Sequence, residues 1–139
     1  MLKNGERVSP EKFLIDTTAW VLFFRGDKSV EDKIKSLVLE DRALITEIII
    51  LETLRGARTQ NEYDVLYHDL KSLPMLTAEE EVWEKSYKIG FSLKRAGMNI
   101  PSVDILIASI AVHHSVPLLH RDRHFPMIGS LVKINDFQI

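Results

Sequence analysis

The strongest constraint on this chain is the segment 99–125, NIPSVDILIASIAVHHSVPLLHRDRHF. Pro101 and Ser102 supply a helix start, and the almost unbroken apolar run from Val103 to Val112 is of helical length. Ser115 ends that helix, Pro117 restarts the chain in extended form, and residues 116–119 (VPLL) make a short buried strand. A helix that feeds a strand of a parallel sheet runs antiparallel to it and so begins at the sheet's carboxyl edge, where that strand ends. Asp104, in the helix's first turn, and Asp122, just beyond the strand, therefore belong to one edge although eighteen residues separate them. Open α/β sheets hold their ligands on that edge.

The rest of the chain repeats the pattern. Residues 1–12 read as a loose polar leader with a turn at Ser9-Pro10, followed by a single domain over residues 13–139. Phe13-Leu14-Ile15 is a buried strand ending in Asp16, and Thr17 or Thr18 caps the helix that follows. Gly26-Asp27 breaks this helix, and Val30, Ile34, Leu37 and Val38 mark a second one over residues 29–40. Ala43-Leu44-Ile45 is a strand, and Thr46 caps a helix reaching Gly56 or Ala57 so dense in Ile and Leu that most of its surface must be buried. Residues 61–73 form another amphipathic helix, stopped by Pro74. Thr77-Ala-Glu-Glu80 is a capping-box pattern opening the longest helix, which closes on Gly97. Residues 131–134 (LVKI) read as a last edge strand. Strands alternating with longer helices give an α/β fold, a three-layer α/β/α sandwich with a short, mostly parallel central sheet.

With no cysteine, neither disulfides nor thiolate metal sites are available. The polar amino terminus is unlike a signal peptide and no run approaches membrane-spanning length, so a cytoplasmic protein is expected. A net charge of −2 is unusual for a nucleic-acid binder, but carboxylates that hold a cation count against the total without repelling a polyanion. Arg55, Arg58, Lys94, Arg95, Arg121 and Arg123 are available for phosphate.

Asp16 ends a strand as Asp122 does, so three acids share the carboxyl edge. Each has a plain structural role open to it: a helix cap for Asp16, a first-turn acid for Asp104, a turn closure for Asp122. Together they ask for more, because two carboxylates about 5 Å apart repel by about 3 kcal/mol at an effective dielectric near 20. Oxygen ligands alone select a hard cation, Mg²⁺ or Mn²⁺. A fourth acid is left open by geometry. Glu47 lies in the first turn of its helix, whereas Glu52 is about 9 Å along an ideal helix from Thr46, and spacing leans towards Glu47.

Residues 13–20 (FLIDTTAW), 48–58 (IIILETLRGAR) and 100–125 (IPSVDILIAS…LLHRDRHF) resemble, in order and spacing, the successive motifs of the PIN-domain ribonucleases, and within them the VapC toxins of toxin–antitoxin pairs. The resemblance implies a PIN-like fold and a Mg²⁺- or Mn²⁺-dependent endoribonuclease. It implies four catalytic, metal-holding acids: Asp16, Glu52, Asp104 and Asp122, with Glu52 and not Glu47 preceding the Leu-Arg-Gly stretch. The expected partners are an RNA substrate, a cognate antitoxin and a second copy of the chain, with no membrane. The chain departs from the family in carrying His120 where Thr is frequent, and in its longer leader.

Candidates for touching substrate are Thr17, Arg55, Arg121 and His124. His124 is also a candidate metal ligand or acid–base group, while His113 and His114, at the far end of their helix, more plainly offset the helix dipole. Trp83, Tyr87 and Phe91, every fourth residue along one helix, fit core or dimer contact better than base stacking. Rival readings are an inactive PIN-like module that binds RNA or protein, and a DNA-directed nuclease of the same fold. A phosphotransfer domain is disfavoured because no lysine follows a sheet strand near the acids.

Overall fold

In the computed structural model, residues 2–3 and 6–7 are described for their backbone and residues 11–139 in full. Of the expected leader, Leu2–Lys3 (β1) and Glu6–Arg7 (β2) pair antiparallel, and the Ser9-Pro10 turn lies outside the described residues. The domain then follows the order β3 (Phe13–Ile15), α1 (Thr17–Phe24), α2 (Lys28–Leu39), β4 (Ala43–Thr46), α3 (Glu47–Arg55), α4 (Gln60–Lys71), β5 (Met75–Leu76), α5 (Glu80–Arg95), α6 (Ser102–His113), β6 (Leu118–His120), α7 (His124–Gly129) and β7 (Asp136–Gln138).

The sheet has five strands in the order β5-β4-β3-β6-β7, and every pairing is parallel. Register places Leu14 beside Leu44 and Leu118, so Ile15 and Leu119 reach the carboxyl edge together and Asp16 emerges there. The three inner strands, β3, β4 and β6, are short and wholly buried, as expected of a sheet covered on both faces, while the edge strands β5 and β7 are partly exposed. The core between the layers is aliphatic, with Leu14, Ile34, Ile45, Ile49, Leu70, Leu93, Ile107 and Ile110 shielded from solvent. Among the described residues no helix is long and apolar enough to cross a membrane.

The three-layer α/β/α expectation holds, and several local expectations change. The last strand is Asp136–Gln138, not residues 131–134; Leu131 and Val132 instead close the turn after α7, their N–H groups donating to the Ile128 carbonyl. α7 was not anticipated, since six residues are too few for a periodic signal. β5 was likewise hidden in two residues after Pro74.

Caps shift too. Asp16, not a threonine, caps α1, accepting from the Thr18 N–H, and Thr46 stands at the start of α3 with no side-chain bond to it. Thr77 does not close a capping box. Glu79 is the cap of α5, and the Thr77 hydroxyl donates to its Oε1 at 2.7 Å. Gly97 follows α5 with φ +80°, a left-handed conformation that glycine adopts without strain. Trp83, Tyr87 and Phe91 are not core; they are 44%, 62% and 66% exposed, on the outer face of α5.

Candidate active site

The four acids arrive from four places. Asp16 is the residue after β3, Glu52 lies in the middle of α3, Asp104 is in the first turn of α6 and Asp122 follows β6. All four line one cleft of about 360 Å³, together with Thr17, Thr18, Val21, Leu22, Arg25 and Arg121. Asp16 and Asp104 are buried, at 2% and 8% exposure.

Short side-chain contacts hold each carboxylate. The Thr17 hydroxyl donates to Glu52 Oε1 at 2.7 Å, joining the start of α1 to α3. The Thr18 hydroxyl donates to Asp16 Oδ2 at 2.7 Å and accepts the Arg121 backbone N–H at 2.9 Å, which ties the end of β3 to the loop after β6. His124 Nδ1 stands 2.8 Å from Asp104 Oδ2 and 3.1 Å from Asp122 Oδ1, so one N–H faces two carboxylates. The His124 backbone N–H also donates to Asp122 Oδ1 at 2.9 Å. The plain roles are therefore real: Asp16 caps a helix and Asp122 closes a turn. They coexist with the convergence.

Glu47 is exposed and does not line the cleft. Five residues of helix turn its side chain about 140° from that of Glu52. The distance along the helix axis misleads because α3 packs against α1, whose first residue stands at the carboxyl edge and reaches Glu52.

Crowding shows in the acid–base balance. Burial, and then the charge of Asp122, push the Asp104 carboxyl from 3.8 up to about 6, despite the hydrogen bond from His124. Burial also raises the Asp16 carboxyl, against the lowering effect of its bonds to Thr18, and Glu52 adds to the rise. More negative charge gathers here than the surrounding groups neutralise. The donor set is oxygen-rich, and one oxygen each of Asp104 and Asp122 lies within 4.8 Å of the other and of a His124 nitrogen. Such a set fits a hard divalent cation.

The expected substrate contacts divide. Thr17 and Arg121 line the cleft and His124 touches two of the acids. The Arg121 guanidinium, however, is bound to the Ile139 carbonyl and, at 3.0 Å, to the Ser29 hydroxyl. Arg55 is exposed and lies outside the cleft lining.

Three further residues escaped the sequence. Thr18 reads in the sequence only as a helix cap. Arg25 enters the cleft because Thr17, Val21 and Arg25 are spaced by four along α1, a signal that was available. His120 is wholly buried. Its Nδ1 accepts the Asp122 backbone N–H at 3.1 Å, so its Nε2 carries the proton and donates to Asp136 Oδ2 at 2.9 Å. One imidazole thus anchors the loop bearing Asp122 to β7, a role no local pattern announces.

An all-parallel sheet between helical layers, with an acidic cleft at its carboxyl edge, defines the class. A family model described as the PIN domain matches residues 13–131. A VapC ribonuclease of Mycobacterium bovis is 32% identical over 126 residues, covering 87% of this chain and 94% of that protein. The chain belongs to the PIN-domain family. Solved structures agree on the fold. A chain in the DNA-bound VapBC structure from Salmonella typhimurium aligns with TM-score 0.77 at 20% identity, covering 93% of this chain and 98% of that one. A chain of a toxin–antitoxin complex from Klebsiella pneumoniae aligns with TM-score 0.72 at 16% identity, covering 92% and 100%.

Proposed function

We propose that this chain is a cytoplasmic, Mg²⁺- or Mn²⁺-dependent endoribonuclease, the toxin of a VapBC-type pair held in check by a cognate antitoxin. The observation that carries the reading is the gathering of Asp16, Glu52, Asp104 and Asp122 around one cleft, with Asp104 pushed up to about 6. The ribonuclease named among its relatives supplies the substrate class, and the toxin–antitoxin complex among its structural neighbours supplies the kind of partner.

Asp16, Glu52, Asp104 and Asp122 would hold the cation, which when bound supplies charge neutralisation at a phosphoryl group and lowers the pKa of a water. The protein's own groups do the rest. Thr17 and Thr18 fix the Glu52 and Asp16 carboxylates, and His124 fixes Asp104 and Asp122 against each other. Arg25 lies on the rim of the cleft, and with Arg58 lines an adjoining recess beside Glu52, where both can take a neighbouring phosphate. In the overall reaction water adds to phosphorus and the P–O3′ bond breaks.

A second copy of the chain is the further proposed partner. Trp83, Tyr87 and Phe91 line an apolar groove between α5 and α6, beside Val103 and Leu106, that the single chain leaves uncovered.

The test is cleavage of a structured RNA by repurified protein. With Mn²⁺ the parent should cut, EDTA should stop it, and a DNA strand of the same sequence should stay intact. Asp16→Ala and Asp122→Ala should cut at least about 100-fold more slowly while keeping the parent's circular dichroism. An Asp16→Ala protein that cuts as fast as the parent would refute the assignment.

A further inference from the structure

A second convergence of ligand atoms lies at the other end of α6, away from the acids. His113 is the last residue of that helix, His114 caps it, and Glu79 caps the start of α5. The two helices pack together through a short connection, so the start of one meets the end of the other.

Both imidazole Nε2 atoms stand 3.4 Å from the same oxygen, Glu79 Oε2. One donor atom from each of the three residues lies within 4.8 Å of the other two. The rings meet edge to face, with centroids 5.0 Å apart and planes at 88°, so the nitrogens converge without the rings stacking. The Thr77 hydroxyl fixes the carboxylate through Oε1, while Oε2 is shielded from solvent and accepts no hydrogen bond from the described residues. The Thr77 hydroxyl and the Glu79 backbone N–H, and after them the two imidazoles, also hold the Glu79 carboxyl below its usual range.

The spacing has a chemical meaning. Two ligands each about 2.0–2.1 Å from a tetrahedral Zn²⁺ lie about 3.3–3.4 Å from each other. The two nitrogen–oxygen separations already match it. We propose that Glu79, His113 and His114 form a cation site separate from the acidic cleft, one that takes a borderline-soft transition ion, Zn²⁺ in the first place, through two imidazole nitrogens and one carboxylate oxygen.

Three protein ligands leave a fourth position for water. In the metal-free protein His114 Nε2–H donates to the Thr77 carbonyl at 2.9 Å. Binding would break that hydrogen bond: the proton would pass through solvent to Nδ1 and the ring would turn its Nε2 lone pair from the Thr77 carbonyl to the metal, with no net proton gained or lost at a neutral ring. The bound ion would clamp the start of α5 to the end of α6, the helix whose first turn carries Asp104.

The experiment is a Zn²⁺ titration of the tag-free full chain in excess Mg²⁺, read by equilibrium dialysis and melting temperature. The parent should bind a Zn²⁺ equivalent that Asp104→Asn retains and the His113→Ala/His114→Ala double variant loses, together with the upward shift in melting temperature. Should the double variant lose its circular dichroism, Glu79→Gln decides, because it keeps both imidazoles and should weaken that equivalent by at least about 10-fold. A parent that binds no Zn²⁺ at 50 μM (about −6 kcal/mol of affinity) would overturn the proposal. So would a folded double variant, or a Glu79→Gln variant, that binds as the parent does.

Discussion

At its first turn α6 presents Asp104 to Asp122 and, at longer reach, to Asp16; at its last turn it presents His113 and His114 to Glu79. Both ends obey the helix-dipole rule, with an acid at the positive end and imidazoles at the negative end. They differ in what faces them. The first end meets more carboxylates, and the dipole does not offset burial and Asp122, so Asp104 rises to about 6. The second end meets a single carboxylate, that of Glu79, shared by two imidazoles. The dipole rule therefore predicts which residues suit each end and says nothing of how many partners converge there. One end is short of positive charge and suits a hard cation; the other offers nitrogen lone pairs.

The largest effect is expected at the acid end. Glu52→Gln should slow RNA cleavage by about 100-fold or more, whereas Glu47→Gln should stay within about 2-fold of the parent, as should the His113→Ala/His114→Ala double variant. A large loss in the histidine variant would show that the two ends share one function. The next effect is on stability. His120→Ala removes a wholly buried ring and leaves the Asp122 N–H and the Asp136 carboxylate without their partner. Urea unfolding should show a loss of about 3 kcal/mol. The smallest effect lies on the outer face of α5: Phe91→Glu should turn a sedimenting dimer into a monomer with the fold and Asp104 region unchanged, and a parent that is monomeric at high micromolar concentration would rule out the dimer.

The sequence carried the layers and the edge because both follow from direction. A buried helix feeding a buried strand must start where that strand ends, so chain direction alone puts Asp104 and Asp122 on one edge, and Asp16 with them. It did not carry Glu52, since the choice over Glu47 depends on the crossing of α3 against α1, a tertiary angle with no local signal; the family resemblance supplied it. β5 and α7 were too short for periodicity to register. The strand read at residues 131–134 was an apolar run that packs as a turn instead, while Asp136–Gln138, half polar, takes the ladder bonds to β6. His120 and Thr18 act through backbone groups far away in sequence, and such partners are invisible in residue order. The exposure of Trp83, Tyr87 and Phe91 shows the limit of spacing: it groups residues on one face without saying what covers that face.

The most direct test of the central claim, that the acids are packed closely enough to need a cation, is thermal and urea unfolding of the parent and Asp104→Asn with and without Mn²⁺ across pH 4 to 8. Asp104 has a folded pKa above its ordinary 3.8, so between 3.8 and about 6 the folded state binds more protons than the unfolded one. Its ionisation then costs the metal-free parent stability as pH rises through that window. Metal-free Asp104→Asn should match the parent near pH 4 and exceed it by roughly 1–2 kcal/mol above pH 6. Mn²⁺ at pH 7.5 should raise the melting temperature of the parent and leave that of the variant unchanged. A metal-free variant less stable than the parent at pH 7.5, or one that gains as much from Mn²⁺, would contradict the account.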